Sequence, residues 1–475
     1  MSLDSSTFGT LAPSRYITFT FPNPIQPLSA FLHTPVIRIS VIDSPAATDV
    51  ATATTAAMLV PPNRESDWTF STEPGNLQLL LALPDLSRLI LIANNVPNCS
   101  CPTSYKPPVY ITDADAGTLQ IEETLMPLLI ALTPKLAFVQ TNGFPLIPFL
   151  SYEDEVIRSS VLEVCVGPSV GEMLVENVEL KLADGGREFR RRLRFKRMPN
   201  LVQSQVRINL HDESDLVEEL DSAVFNVDAS VLVQPYLSPM VAGLSVICSH
   251  LDRQIQEGLR PRALCLGVGG GVLVNFMTAR LGFEVVAVEE DEVVLRVGKK
   301  YFGLRESEFV HLCVGDGVEL VEKIAFDRKD QNFNGCNVEN GSFLQNLDRK
   351  FDVIMVDLDS SDARMGTSAP PLKFVRKSVL LAAREIISGN GILVMNVIPP
   401  SKSFYETLVA EFHDVFKELY EIDVGNGENM VLVASVSEIH SSTSEGGDNF
   451  LQKLELIIQE PYINSMRKIS RVANC

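Results

Sequence analysis

Positive charge is scarce in this chain. Lys and Arg number 40 against 60 Asp and Glu, a formal net charge of −20 over 475 residues. Nucleic-acid binding without sequence preference needs a basic face to neutralise phosphates, so that class is excluded as a direct activity. Long apolar runs are missing as well: none reaches bilayer-spanning length, which excludes a helical membrane anchor as the organising feature. The first residues, MSLDSSTFGT, have neither the basic start nor the apolar core of a secretion signal. A soluble, cytoplasmic protein is expected. The eight cysteines form no framework. Cys99 and Cys101 are close, but no second pair at metal-ligand spacing follows, so no metal is expected. Cys165, Cys248, Cys265 and Cys313 stand in apolar runs and read as buried thiols of a reducing compartment. The six histidines show no paired spacing, which disfavours a catalytic histidine.

What is present is 45% apolar residues, enough for two or three domains with real cores. Residues 1–150 read as an α/β segment. Tyr16 to Phe21 and Val36 to Val41 alternate like strands, Ala46 to Ala57 reads as a loop, and Leu77 to Leu83 with Leu89 to Ile92 suggests a helix and a buried strand. Asn94 to Pro108 reads as a long loop and Gln120 to Leu132 as a helix. Residues 151–230 read as β-rich, with a hairpin of Phe189–Phe195 and Leu201–Ile208 around Met198-Pro199-Asn200. The run of Arg187, Arg190, Arg191, Arg192 and Arg194 on that hairpin reads as a solvated strand face. Residues 231–440 alternate strands and helices after an apolar helix at Met240 to Leu251, which predicts a parallel sheet covered on both faces. That pattern closes with an antiparallel hairpin at Leu419–Val424 and Met430–Ala434. Residues 441–475 read as a tail with one helix, Phe450 to Ile458.

The densest chemical signal is LCLGVGGGVL, Leu264 to Leu273. Gly267 and Gly269 match the first two glycines of the dinucleotide fingerprint, but Val272 stands where the third belongs. The spacing of a phosphate-binding P-loop is absent. What survives is a strand, a very tight turn at Gly267, Gly269 and Gly270, and a helix start, an arrangement that lets backbone approach an anionic ligand group. Glu289 follows about 20 residues past Gly269 at the end of the next apolar strand, where a carboxylate accepts ribose hydroxyl protons. Its neighbour Asp291 better suits a helix N-cap. Asp316 and Gly317 follow the third strand, Asp316 as a candidate acceptor for an adenine amine or simply a turn residue. The strand from Asp352 to Leu358 then delivers Asp357 to its C-terminal end, the edge where open α/β sheets bind ligands. The ordered set points to S-adenosyl-L-methionine.

These residues carry a resemblance. Leu266 to Gly271, Ala287-Val288-Glu289, Asp316-Gly317, Asp352 to Ser360, Asp362, Gly366, Pro370-Pro371 and Phe374-Val375 resemble the class I, seven-stranded methyltransferases. More narrowly they resemble the spermidine-synthase-like branch that holds the lysine and N-terminal methyltransferases of translation elongation factor 1-alpha. Phe189-Arg190-Arg191, Val202-Gln203-Ser204, Met240 to Leu244, Arg64-Glu65 and Trp68-Thr69-Phe70 match upstream. The resemblance implies a Rossmann-like sheet and a chain that corresponds to the linker and C-terminal half of the family's two-half layout, with Tyr16–Phe21 as a remnant of the other half. It implies S-adenosyl-L-methionine as cofactor, elongation factor 1-alpha as protein partner and its N-terminal α-amine, rather than a lysine, as acceptor.

An α-amine has a reference pKa of about 7.7–8.0 against about 10.4 for lysine, so it needs little general-base strength. Asp357 is the candidate to orient that amine and accept its proton. Asp359 is a second catalytic candidate that would bind substrate or cap the following loop. The segment Asp359 to Pro371 is expected to form a substrate lip stiffened by Pro370 and Pro371. Tyr236 and Asn396 would line the acceptor pocket or serve only packing. Two other readings stay open: a polyamine aminopropyltransferase, and a regulator that binds the cofactor without catalysis. Against the first, Gly270 and Val272 replace an Asp and a Gly of that family's glycine loop, and its Asp-Ser-Ser-Asp motif, here Asp359-Ser360-Ser361-Asp362, begins two positions beyond Asp357.

Overall fold

The computed structural model describes residues 5–470 apart from 26–28, 30, 47–52, 84, 97–100, 107–113, 142, 212–219, 330–348, 361–368, 440–448, 459 and 460. Asp362, Gly366 and most of the expected substrate lip lie outside the described residues, as does most of the Asn/Gly-rich stretch from Asp327 to Gly341, expected from its composition to be an insertion. Three sheets follow one another along the chain.

The C-terminal sheet is built from β1 (Arg262–Leu266), β2 (Glu284–Glu289), β3 (Val310–Val314), β4 (Phe351–Val356), β5 (Ile387–Val397), β6 (Glu418–Asp423), β7 (Met430–Ser435) and β8 (Arg467–Lys468). Its spatial order is β3-β2-β1-β4-β5-β7-β6-β8. The first five strands are parallel and β7 enters antiparallel between β5 and β6. This is the seven-stranded, Rossmann-like arrangement with a terminal antiparallel hairpin, and β8 adds a short edge. β1 and β4 are buried along their whole length and β5 from Gly391 to Val397, as apolar runs under helices on both faces require. The order reverses at β1, so the C-terminal ends of β1, β2 and β4 open a crevice there, the topological place for a ligand.

The middle sheet is an antiparallel meander of Val156–Gly167, Gly171–Lys181, Arg187–Phe195, Val202–Leu210 and Phe225–Asp228. The expected hairpin is there, paired as Arg192 to Gln205 and Leu193 to Ser204. Met173, Val175, Leu193, Phe195, Val206 and Ile208 share one core with Val241, Val274 and Phe302 of the C-terminal unit. The N-terminal sheet pairs Tyr16–Pro22, Val36–Asp43, Arg88–Asn94, Thr55–Leu59 and Phe149–Leu150 in that order.

Several expectations need correction. Thr55–Ala57, placed in the loop, belongs to an almost fully buried strand, Thr55–Leu59, parallel to Arg88–Asn94. Its sequence, TAAML, lacks the β-branched run that marks strands, and burial between neighbours decides its state. The arginine run is not a solvated face. Arg194 is buried between Glu176 and Asp67, and Arg191 reaches the Tyr301 carbonyl; only Arg187 is largely exposed. The apolar helix at Met240–Leu251 is two helices, Leu237–Ala242 and Cys248–Gln256, joined by a tight 3-10 turn at Gly243, where a Cβ would press on Val433. In the tail the expected helix is there as Asn449–Ile457, and a second short helix, Tyr462–Ser465, and β8 follow it. Of the four thiols, Cys265 is buried, whereas Cys165, Cys248 and Cys313 are half-buried.

Candidate active site

The turn after β1 is shaped by its glycines. Gly267 has φ +82°, and a Cβ there would lie 2.0 Å from the carbonyl oxygen of Asp357, the residue that follows neighbouring β4. No side chain fits, so β1 and β4 can close on each other only with glycine at this position. Gly271, at φ +79°, opens a helix that runs only from Val272 to Phe276 before widening into a π turn.

The amides of this turn are already occupied. Glu289 Oε2 accepts from the backbone N–H of Val268 at 3.0 Å and of Gly269 at 3.1 Å, and its Oε1 accepts from Asp291 N–H at 3.3 Å. The Gly270 N–H donates to Ser204 Oγ of the middle sheet at 2.9 Å. The expected role of Asp291 as N-cap holds: its Oδ1 accepts from Val293 N–H, while Oδ2 takes the amides of Ser169 and Val170.

A cavity of about 370 Å³ lies over this edge. Gly267, Gly269, Glu289, Asp316, Gly317, Asp357, Asp359, Tyr236, Pro371 and Asn396 line it together, so one wall gathers most of the residues singled out in the sequence. Gly270 and Pro370 do not line it; Gly270 lies under Ser204 and Phe302. The sequence did not reveal the opposite wall, which comes from the middle sheet: Phe195, Arg197, Leu201, Val202 and Gln203. Lys373 was also missed. It pairs with Asp316 Oδ2 at 2.5 Å across the mouth. Asp316 Oδ1 caps the next helix through Val318 N–H at 2.7 Å, so both oxygens of this expected adenine contact have protein partners.

Asp357 sits at the floor. Tyr236 Oη donates to its Oδ2 at 3.1 Å, and Asn396 Nδ2 faces Oδ1 at 3.4 Å. Burial pushes its carboxyl pKa up to about 7; the Tyr236 and Asn396 donors pull it down, and the charges of Asp359 and Glu289 push it up. Tyr236 is driven well above the ordinary phenol range by burial and by Asp357, so it stays a donor. Asp359 receives Arg197 Nη2 on both oxygens at 3.1 Å, yet burial still raises its pKa. Glu289 is likewise raised by burial against its three amide donors. Arg197 Nε is buried and meets no acceptor, and the Gln203 amide bears on Asp359, whose pKa it lowers. The site thus concentrates carboxylates that suit cationic and hydroxyl-bearing groups, beside an orphaned guanidinium donor that suits an anionic one.

No family model matches the chain. Among curated proteins it is similar to the eEF1A lysine and N-terminal methyltransferase of Xenopus laevis, 27% identical over 414 residues, covering 82% of this chain and 52% of that protein. The Drosophila melanogaster homolog is 25% identical, covering 88% and 54%, and the Homo sapiens protein is 25% identical, covering 90% and 57%. The chain spans about half the length of the curated relatives it matches. Among solved structures it is similar to human methyltransferase-like protein 13 in complex with SAH, with a TM-score of 0.37 and 24% identity, covering 48% of this chain and 93% of that one. A probable spermidine synthase from Corynebacterium glutamicum gives a TM-score of 0.40 and 14% identity, covering 62% and 86%.

Proposed function

We propose that the chain is an S-adenosyl-L-methionine-dependent methyltransferase whose acceptor is an amine of a protein, the N-terminal α-amine of translation elongation factor 1-alpha. The observation that carries this reading is the acid-lined cavity at the C-terminal edge of β1, β2 and β4, with a neutral-range carboxyl, Asp357, at its floor. The similarity to proteins described as eEF1A methyltransferases supports the acceptor.

The residues fit the cofactor. Glu289 would accept the ribose hydroxyls while bracing the glycine turn, and the unpartnered Arg197 Nε, beside Gln203 on the opposite wall, is a donor suited to the methionine carboxylate. Gly317 and the Asp316–Lys373 pair would border the base. When bound, the cofactor supplies an electrophilic methyl group on a sulfonium. This chain's own residues do the rest. Asp357, as carboxylate, would orient the incoming amine and hold the proton that the nitrogen gives up. Tyr236 holds the Asp357 carboxylate in place through its hydroxyl. The middle sheet roofs the cavity and limits water, which strengthens each charge contact.

The pairing of Arg197 with Asp359 argues against the aminopropyltransferase alternative. A diamine acceptor needs a second carboxylate for its remote ammonium, and here Asp359 is neutralised by Arg197. The test uses purified elongation factor 1-alpha, labelled S-adenosyl-L-methionine and, in parallel, decarboxylated cofactor with putrescine. The expected result is label on the N-terminal peptide and no spermidine. Spermidine formation would overturn the methyltransferase reading; label confined to a lysine would overturn the acceptor; binding without transfer to the elongation factor would favour a regulator.

A further inference from the structure

Asp357 is one end of a chain of side-chain amides. Asn396 Nδ2 faces its Oδ1 at 3.4 Å; Asn429 Nδ2 donates to Asn396 Oδ1 at 2.8 Å; Asn426 Nδ2 donates to Asn429 Oδ1 at 2.8 Å. Asn426 Oδ1 accepts from the backbone N–H of Glu428 at 3.1 Å and of Asn429 at 2.9 Å. Asn396 and Asn429 are buried, whereas Asn426 is exposed in the turn between β6 and β7.

We propose that Asn429, oriented by Asn426, is a positioning residue that forces Asn396 to present its NH2 to Asp357 and so holds Asp357 in its proton-accepting, carboxylate form. The polarity follows from the far end. Backbone N–H groups only donate, so the Asn426 oxygen must face them and its NH2 must face Asn429. Asn429 then offers oxygen to Asn426 and NH2 to Asn396. Asn396 offers oxygen to Asn429, and its NH2 is left for Asp357. Reversing any amide would bring two like groups together, which is costly in a buried site. The inference rests on Asp357 as the proton acceptor proposed above. The other groups bearing on Asp357 are Tyr236, Asp359 with its partner Arg197, Glu289 and the Cys265 thiol, and none belongs to the hairpin.

The test is Asn426→Asp in the full chain. A carboxylate can still accept both turn amides but cannot donate to Asn429, so the chain of amides is expected to reverse and turn the Asn396 oxygen toward Asp357. The readout is the pH midpoint of the Asp357 carboxyl carbon by NMR, assigned with Asp357→Asn, beside the pH profile of methyl transfer. The expected shift is about one pH unit upward in both, preserved at high salt, where a distant exposed charge is screened. Glu428→Gln, which alters exposed charge in the same turn, is expected to leave the midpoint unchanged. Asn429→Ala provides a second variant and should shift the midpoint in the same direction. Midpoints that coincide with wild type in both variants, or an Asn426→Asp shift abolished by salt, would overturn the proposal. A shifted NMR midpoint in a chain that transfers no methyl group would sink the functional reading and leave the amide chain standing.

Discussion

At the scale of the residue, Asp357 decides the pH behaviour. Its carboxyl titrates near pH 7 because burial costs its charge more than the Tyr236 and Asn396 donors return. The folded chain therefore binds this proton more tightly than the unfolded chain does. From about pH 4 to pH 7 the unfolded carboxyl ionises while the folded one keeps its proton, so the stability it contributes is present below that range and lost as pH rises through it. Asp357→Asn removes the ionisation. Melting curves are expected to show little difference from wild type at pH 4 and a higher transition for the variant at pH 8, with methyl transfer lost. A variant less stable than wild type at pH 8 would contradict this assignment of the charge. Methyl transfer by wild type is expected to rise through pH 7 to 8, as Asp357 and the α-amine both deprotonate.

At the scale of the element, the glycine turn depends on a strand from another sheet. Ser204 takes the Gly270 amide, and its neighbour Gln203 lines the cavity. Ser204→Ala leaves that amide short of a partner and should weaken cofactor affinity by about fivefold, about 1 kcal/mol, with the melting transition little changed; calorimetry checks it. An unchanged affinity would mean the middle sheet only covers the site. This dependence also explains what the sequence did and did not disclose. The parallel sheet was legible because β1, β2 and β4 are continuous apolar runs that stop at a glycine or an acid, and the terminal hairpin because Gly425-Asn426-Gly427 marks its turn. Glu289 and Asp357 were legible because strand ends carry ligands in such sheets. Arg197, Gln203 and Lys373 were not. Arg197 meets Asp359 from 162 positions away, and nothing local in MPNLVQ says which sheet that hairpin will roof. The arginine strand misled for the same reason: its acids, Glu176 and Asp67, arrive from a neighbouring strand and from the N-terminal segment.

At the scale of the whole molecule, three sheets are fastened by shared burial and by ion pairs, and one ionic cluster ties the middle sheet to the N-terminal unit. Arg194 binds Glu176 of its own sheet and Asp67 of the N-terminal unit, and Asp67 also takes Arg64. Asp67 is held below the ordinary carboxylate range by those two arginines despite its burial. Arg194→Met strips Glu176 of its partner and Asp67 of one of its two arginines at a mostly buried interface. Breaking a buried pair of this kind from one side costs about 3–5 kcal/mol, so denaturant unfolding should begin earlier and the N-terminal unit should loosen first, as hydrogen exchange would show. Since the middle sheet is the roof of the cavity, loosening it is expected to reduce cofactor affinity too.

The most direct measurement is a calorimetric titration of S-adenosyl-L-methionine into wild type, Glu289→Ala and Asp357→Ala. Saturable binding is expected for wild type, binding at least about tenfold weaker for Glu289→Ala, which loses the ribose contact and the brace of the glycine turn, and near-wild-type affinity for Asp357→Ala. No binding to wild type, or equal binding by Glu289→Ala, would contradict the placement of the cofactor at this sheet edge.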